Sequence, residues 1–236
     1  MKKKKTYKNK THTLIVSDFH LGTKVSQSEE ITNFLKTFNF KKLILLGDIF
    51  EDLNFKRLRT ADWELLSRIS KISKDRKVIW VEGNHDKGLT DFFSSLTKIR
   101  VRKVYKWKYN NKKYIAIHGH QFDNFLVDNA IISVVANQIY NLIQFLDFKD
   151  RRISRFIKRK SKGWLRLSKK VAERAILYAK FRQVDYIFCG HTHKAMKKES
   201  GRVTYYNSGC WTDLPSTYIT LDRNGIEIKE YYQSIK

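Results

Sequence analysis

Five short polar clusters hold the side chains that could do chemistry. In chain order they are Asp18-Phe19-His20, Gly47-Asp48, Gly83-Asn84-His85-Asp86, His118-Gly119-His120 and Gly190-His191-Thr192-His193. Carboxylate, amide and imidazole donors are the types that hold Mn, Fe, Zn or Mg. Of the 7 histidines, only His12 lies outside these clusters. One histidine in a core would mean little; six gathered this way, beside carboxylates and an asparagine, have no ready structural explanation. In Asp18-x-His20 and His191-x-His193 the donors are two residues apart, so in an extended segment both project to the same side. The flanking glycines let backbone turn sharply and approach an ion or a phosphate closely.

Each cluster follows a short apolar run, and that run must position it. Residues 13–17, 43–46, 78–81, 114–117 and 186–189 are β-branched or aromatic and close on Gly or Asp, as does 203–206. These read as buried strands. Helix-like stretches at 29–38 and 61–72 separate the first of them, and such alternation indicates an α/β architecture. In an open α/β sheet the strand carboxyl ends share one edge, where ligands bind. Five clusters at five strand ends can therefore meet at one point.

Residues 124–180 break the pattern. They carry no strand signal, and 129–146 carry no charge at all. Asn129, Ser133, Asn137, Asn141 and Gln144 recur at helical spacing, forming one polar stripe on an otherwise apolar helix. So many amides argue against a membrane span. A basic block at 149–170 follows, with Phe156, Trp164 and Leu165 interleaved, and then a second helix at 164–181. The expected organisation is a core in two parts, 1–123 and 181–236, with a helical insertion or cap at 124–180.

The chain has 236 residues, enough for one sizeable domain with an insertion, and a net charge of +25. Such a balance suits polyanionic partners: phosphorylated substrates, an anionic membrane surface or nucleic acid. A lysine-rich chain with merely solvated side chains would carry the same charge. Cys189 and Cys210 are too few for a disulfide framework and read as small buried residues. The basic start lacks an apolar stretch of the signal-peptide kind. The expectation is a cytoplasmic protein, able to rest on the inner face of the membrane through 149–170.

Taken in order, the five motifs resemble those of the calcineurin-like metallophosphoesterase superfamily. The resemblance implies a two-layered mixed β-sandwich flanked by helices. It implies two divalent ions, Mn²⁺ first, with Fe or Zn as alternatives. One ion would be held by Asp18, His20 and His193 and the other by Asn84, His118 and His191, with Asp48 bridging. His85, paired with Asp86, would sit by the leaving group. Two cations ~3.5–4 Å apart need an anionic bridge, and they lower the pKa of a shared water toward neutrality. The resulting hydroxide would attack phosphorus while His85 assists the departing oxygen.

Residues 118–123, the insertion, and 206–211 are similar to the branch containing UDP-2,3-diacylglucosamine diphosphatase, which acts in lipid A biosynthesis. That similarity implies a lipid-linked UDP sugar as substrate and cleavage of its pyrophosphate. Asn84, His120 and Asp123 would contact it, and Gly209, Trp211 and Asp213 would shape the pocket. That branch carries Arg where His85 stands and Asp where His120 stands. A phosphate leaves with less help from a proton donor than an alkoxide does, so His85 favours a more ordinary phosphoester. Two other readings stay open. One is a nuclease or other phosphodiesterase, whose affinity would fall steeply with salt. The other is a non-catalytic binding module on the same scaffold.

Overall fold

In the computed structural model the described residues are 7, 9–88, 99–123 and 162–232. Two sheets lie face to face. The first runs β11(Gly225–Tyr231)-β10(Ser216–Asp222)-β1(Asn9–Val16)-β2(Phe38–Leu46)-β3(Lys77–Val81)-β4(Val101–Arg102). The second runs β5(Tyr105–Tyr109)-β6(Lys112–Ala116)-β7(Tyr186–Cys189)-β9(Val203–Asn207)-β8(Met196–Ser200). Strands β1 to β4 are mutually parallel, as are β6, β7 and β9, while the outer partners β10, β11, β5 and β8 are antiparallel. This is the mixed α/β sandwich that the motifs imply.

Period-2 alternation divides each inner strand between two cores. In β2, Ile44 and Leu46 face the second sheet, where Tyr105, Trp107, Tyr114, Phe188 and Tyr206 meet them. Leu43 and Leu45 face the other way, toward α1(Ser28–Thr37) and α2(Thr60–Asp75). Both helices fall where the apolar spacing puts them. Asp62 opens α2 by accepting from Arg59 N at 2.8 Å, and Ser28 at the head of α1 hydrogen-bonds the same carboxylate. One buried Asp thus ties the two helix starts together. The free cysteines Cys189 and Cys210 are both buried, as read.

The outer face of the second sheet is closed by α3(Lys162–Phe181). Its Val171, Ala172, Ala175, Ile176 and Ala179 form one stripe, packed on Ile115, Ile187, Cys189, Val203 and Tyr205. Fully burying a side chain the size of Val171 or Ile176 contributes about 1.5–3 kcal/mol. The second helix of the 124–180 stretch is therefore a wall of the core. Residues 124–161, with the amide-striped helix and most of the basic block, lie outside the described residues.

Each of the six apolar runs carries a strand, but β4, β5, β8, β10 and β11 add to them. The β5–β6 hairpin turns on Asn110 and Asn111, both left-handed at φ 47° and 58°. That is the conformation a two-residue hairpin turn requires, and Asn tolerates it.

Candidate metal centre

The parallel strands bring their clusters to a common edge. Past β1 and β2 the two chains stay zipped: Asp18 N donates to Gly47 O at 3.0 Å, His20 N to Asp48 O at 3.1 Å and Leu21 N to Ile49 O at 2.8 Å. Past β6 and β7, Gly190 N donates to His118 O at 2.8 Å. Asp18, His20, Asp48, His191 and His193 all have positive φ, between 48° and 66°. Non-glycine residues held there cost on the order of 1–3 kcal/mol each and gather at functional sites. Of the eight non-glycine residues with positive φ among the described residues, these five are among the seven expected ligands.

Glycines admit the close approach. A Cβ on Gly83 would stand 2.2 Å from both Asp48 N and Asp48 Oδ1, and one on Gly190 would stand 2.5 Å from Asp18 Oδ2. Gly83→Ala is expected to destabilise the fold by about 1–3 kcal/mol through overpacking. A thermal melt checks this; an unshifted midpoint would mean that Asp48 can move aside.

Three donor groups result among the described residues, two of them built wholly of expected ligands. Asp18, His20 and His193 place one ligand atom each within 4.8 Å of one another, and so do Asp48, His118 and His191. In the first group His193 Nε2 lies 3.2 Å from Asp18 Oδ1 and 3.2 Å from His20 Nε2. In the second, His118 Nε2 is 3.1 Å from Asp48 Oδ2 but misaligned for a hydrogen bond, while His118 Nδ1 donates to Leu46 O at 2.7 Å. Asp18 and His118 are fully buried.

The residues present fit divalent cations. Asn84 Oδ1, His118 Nε2 and His120 Nδ1 are buried without hydrogen-bond partners. Leaving a buried polar atom unpaired costs about 1–3 kcal/mol. For Asn84 and His118, whose loops converge on Asp48, a cation would supply the partner that the protein withholds.

The protein's own charges hold the set together in the meantime. Burial would raise the Asp48 carboxyl, yet His118, His85 and His20 draw it well below its usual range. Burial would lower His118, but Asp48 and then Asp18 lift it to about 10. Asp18 is likewise lowered, burial being outweighed by His193. His120 goes the other way: burial, then the neighbouring His118 and His191, push it down to about 3, so it is neutral.

Residues 11–195 match the family model described as calcineurin-like phosphoesterase. The chain belongs to this family. It is accordingly a phosphoesterase, and its chemistry is metal-dependent phosphoester hydrolysis. No curated protein matches it significantly. Among solved structures it is similar to the phosphoesterase Yfce from E. coli, with 14% identity and TM-score 0.50 over 91% of this chain and 90% of that one. An archaeal phosphodiesterase shares 17% identity at TM-score 0.49 over 93% and 98% of the two chains. Vps29 from Chaetomium thermophilum shares 10% at TM-score 0.48 over 93% and 96%. These likenesses concern the fold alone.

The remaining expected site residues of the phosphoesterase take the following places. His120 stands beside His118 and His191, with ring centroids 5.6 and 6.3 Å away. Asp123, read as a substrate contact, is buried with Oδ2 3.1 Å from His191 Nε2, so it faces a histidine expected as a ligand. The expected pairing of His85 with Asp86 is corrected. His85 Nδ1 lies 2.6 Å from Glu51 O. Asp86 is fully buried and accepts from the amides of Ile49, Phe50 and Gly83 and from the Trp80 indole. Four donors to one carboxylate make it the organiser of the loops around Asp48. Burial and the nearby Asp48 raise its carboxyl to about 6. Trp211, read as shaping a pocket, is a core residue against Phe34, and its amide donates to Asp18 O at 3.1 Å.

Sequence reasoning missed Glu51. Its Oε2 is 2.7 Å from His20 Nδ1, and its donor atom shares a 4.8 Å neighbourhood with His20 and His85. The signal was only its place, three residues beyond Asp48.

Proposed function

We propose that the chain hydrolyses a phosphoester at a centre of two divalent cations, Mn²⁺ first among them. Asp18, His20 and His193 would hold one, and Asn84, His118 and His191 the other, with Asp48 between. The observation that carries this reading is that the expected ligands form two three-donor groups, Asp18–His20–His193 and Asp48–His118–His191, beside an unpartnered Asn84 oxygen. Held there, the ions supply Lewis acidity and a nucleophile at neutral pH. The protein does the rest. Burial of Asp18, Asp48 and His118 excludes water from the floor of the site. His85, anchored at Nδ1, offers its other nitrogen to the departing oxygen. Neutral His120 can hydrogen-bond a phosphoryl oxygen without adding charge.

For the substrate we propose a lipid-linked UDP sugar of the diacylglucosamine kind. Residues 118–123 and 206–211 support this, and the basic block at 149–170 would meet its phosphates or an anionic membrane. Among the described residues no helix is long and apolar enough to cross a membrane. A second reading, a phosphodiester or phosphomonoester with an alkoxide leaving group, is favoured by His85 itself.

A substrate panel with added Mn²⁺ separates these readings. It compares a UDP-diacylglucosamine, an aryl phosphodiester, a phosphomonoester and single-stranded nucleic acid. The expected result is turnover fastest on the UDP-lipid. Preference for nucleic acid, with an affinity falling steeply with salt, overturns the lipid reading. Full cation content without hydrolysis of any member leaves a binding module.

A further inference from the structure

We propose that Glu51 is a positioning residue that fixes two site histidines at once, His20 through its carboxylate and His85 through its main-chain carbonyl. The inference rests on the cation-centre reading and deepens it, because Glu51 lies outside the two groups built of expected ligands.

A carboxylate and a carbonyl can only accept. His20 Nδ1, 2.7 Å from Glu51 Oε2, must therefore carry the ring proton. A neutral ring has one such proton, so Nε2 presents a lone pair. That atom faces His193 Nε2 at 3.2 Å, in the group completed by Asp18. A carboxylate behind a ligand histidine sets its tautomer and orientation and raises its basicity. His85 Nδ1, 2.6 Å from Glu51 O, likewise carries a proton, so the ring must hold a second proton, on Nε2, to serve a departing oxygen.

Glu51 can do this because its own place is fixed. Its amide donates to Leu21 O at 3.0 Å, and Leu21 bridges Phe50 in parallel register. Leu21 directly follows His20, so Glu51 is locked to the segment whose histidine it orients. The short contacts also say what the His20–Glu51–His85 group is. Both Nδ1 atoms are already hydrogen-bonded to Glu51, so it is a support, not a third cation site.

The two handles can be separated, since substitution removes the side chain and keeps the carbonyl. The test measures Mn²⁺ affinity by competition with a chromogenic chelator for the parent, Glu51→Ala, Glu51→Gln and His20→Ala. Glu51→Ala is expected to bind about 10–100-fold more weakly. Glu51→Gln should recover most of that, because its amide oxygen accepts the same proton. At saturating Mn²⁺, the ratio of rates on good and poor leaving groups should match the parent's, because the hold on His85 persists. If Glu51→Ala fails to fold in chelator, Glu51→Leu, closer in volume, takes its place. Parental affinity in the Glu51 variant beside a weakened His20→Ala overturns the proposal. Parental affinity in His20→Ala as well overturns the cation-centre reading, and the role of Glu51 with it.

Discussion

Asp48→Ala is expected to abolish cation loading and turnover together. Asp48 is the group on which most of the site's electrostatics converge: His118 lies 3.1 Å from Oδ2, and His85 N donates to Oδ1 at 2.9 Å. Removing one partner of a buried charge pair costs about 3–5 kcal/mol, because the other is left uncompensated. The rate should fall at least ~1,000-fold, equivalent to about 4 kcal/mol of lost transition-state stabilisation. Metal analysis after dialysis and a turnover assay in excess Mn²⁺ read the two effects separately. Asp48→Asn keeps an acceptor for His85 N and should fold, yet still fail to load. An active, metal-replete Asp48→Ala protein would refute the assignment.

The same variant makes a pH prediction for the cation-free protein. The Asp48 carboxyl is depressed on folding, so its stabilisation is present above its unfolded pKa of ~3.9 and lost as pH falls through the lower folded value. His118 is raised to about 10, so its share is complete below ~6.5 and lost as pH climbs through 10. Denaturant midpoints in chelator should therefore be highest between pH ~4 and ~6.5 for the parent. Asp48→Ala should lose most of that rise.

How much of this was legible in the sequence depended on what each residue's neighbours repeat. The five strands beneath the clusters, and β9 beside them, are continuous apolar runs, because parallel inner strands are covered on both faces. The missed strands are edge or near-edge elements and obey a different rule. In Tyr105-Lys106-Trp107-Lys108-Tyr109 only alternate residues face the core, so lysines dilute the apolar signal. Strand β11, Gly225–Tyr231, hides in the same way behind alternating charges. Both hairpins carried turn signals, Asn110-Asn111 and Asn224-Gly225, that would have revealed them.

The two donor groups around Asp18 and Asp48 were legible because a donor set must combine particular residue types with strand ends. Their supports were not. Asp86 sits beside His85 in sequence, but its carboxylate turns inward to amides from two loops. Glu51 resembles any loop glutamate until the β1 and β2 extensions are seen zipped together. Trp211 was expected in the pocket through the resemblance of residues 206–211, yet its indole lies in the aromatic core around Phe34. In each case the deciding partner is remote in sequence.

His85→Ala is expected to keep its cations and lose rate. The side chain belongs to neither three-donor group with Asp18 or His118, and its Nδ1 is committed to Glu51 O. A general acid or hydrogen-bond donor contributes typically ~100- to 10,000-fold. That contribution depends on the leaving group. A nitrophenoxide departs with little help, so the loss there should sit at or below the lower end. An alkoxide needs a proton, so the loss should approach the upper end. A pyrophosphate, whose leaving group is itself a stable phosphate, should behave like the aryl ester. Rates of His85→Ala on matched aryl, alkyl and pyrophosphate substrates, at saturating Mn²⁺, therefore also report on the natural substrate. A large loss on the proposed lipid-linked pyrophosphate would show that His85 contacts a non-bridging oxygen and not the departing one. Loss of metal in this variant would instead make His85 a ligand, and the group it forms with His20 and Glu51 would then be part of the centre.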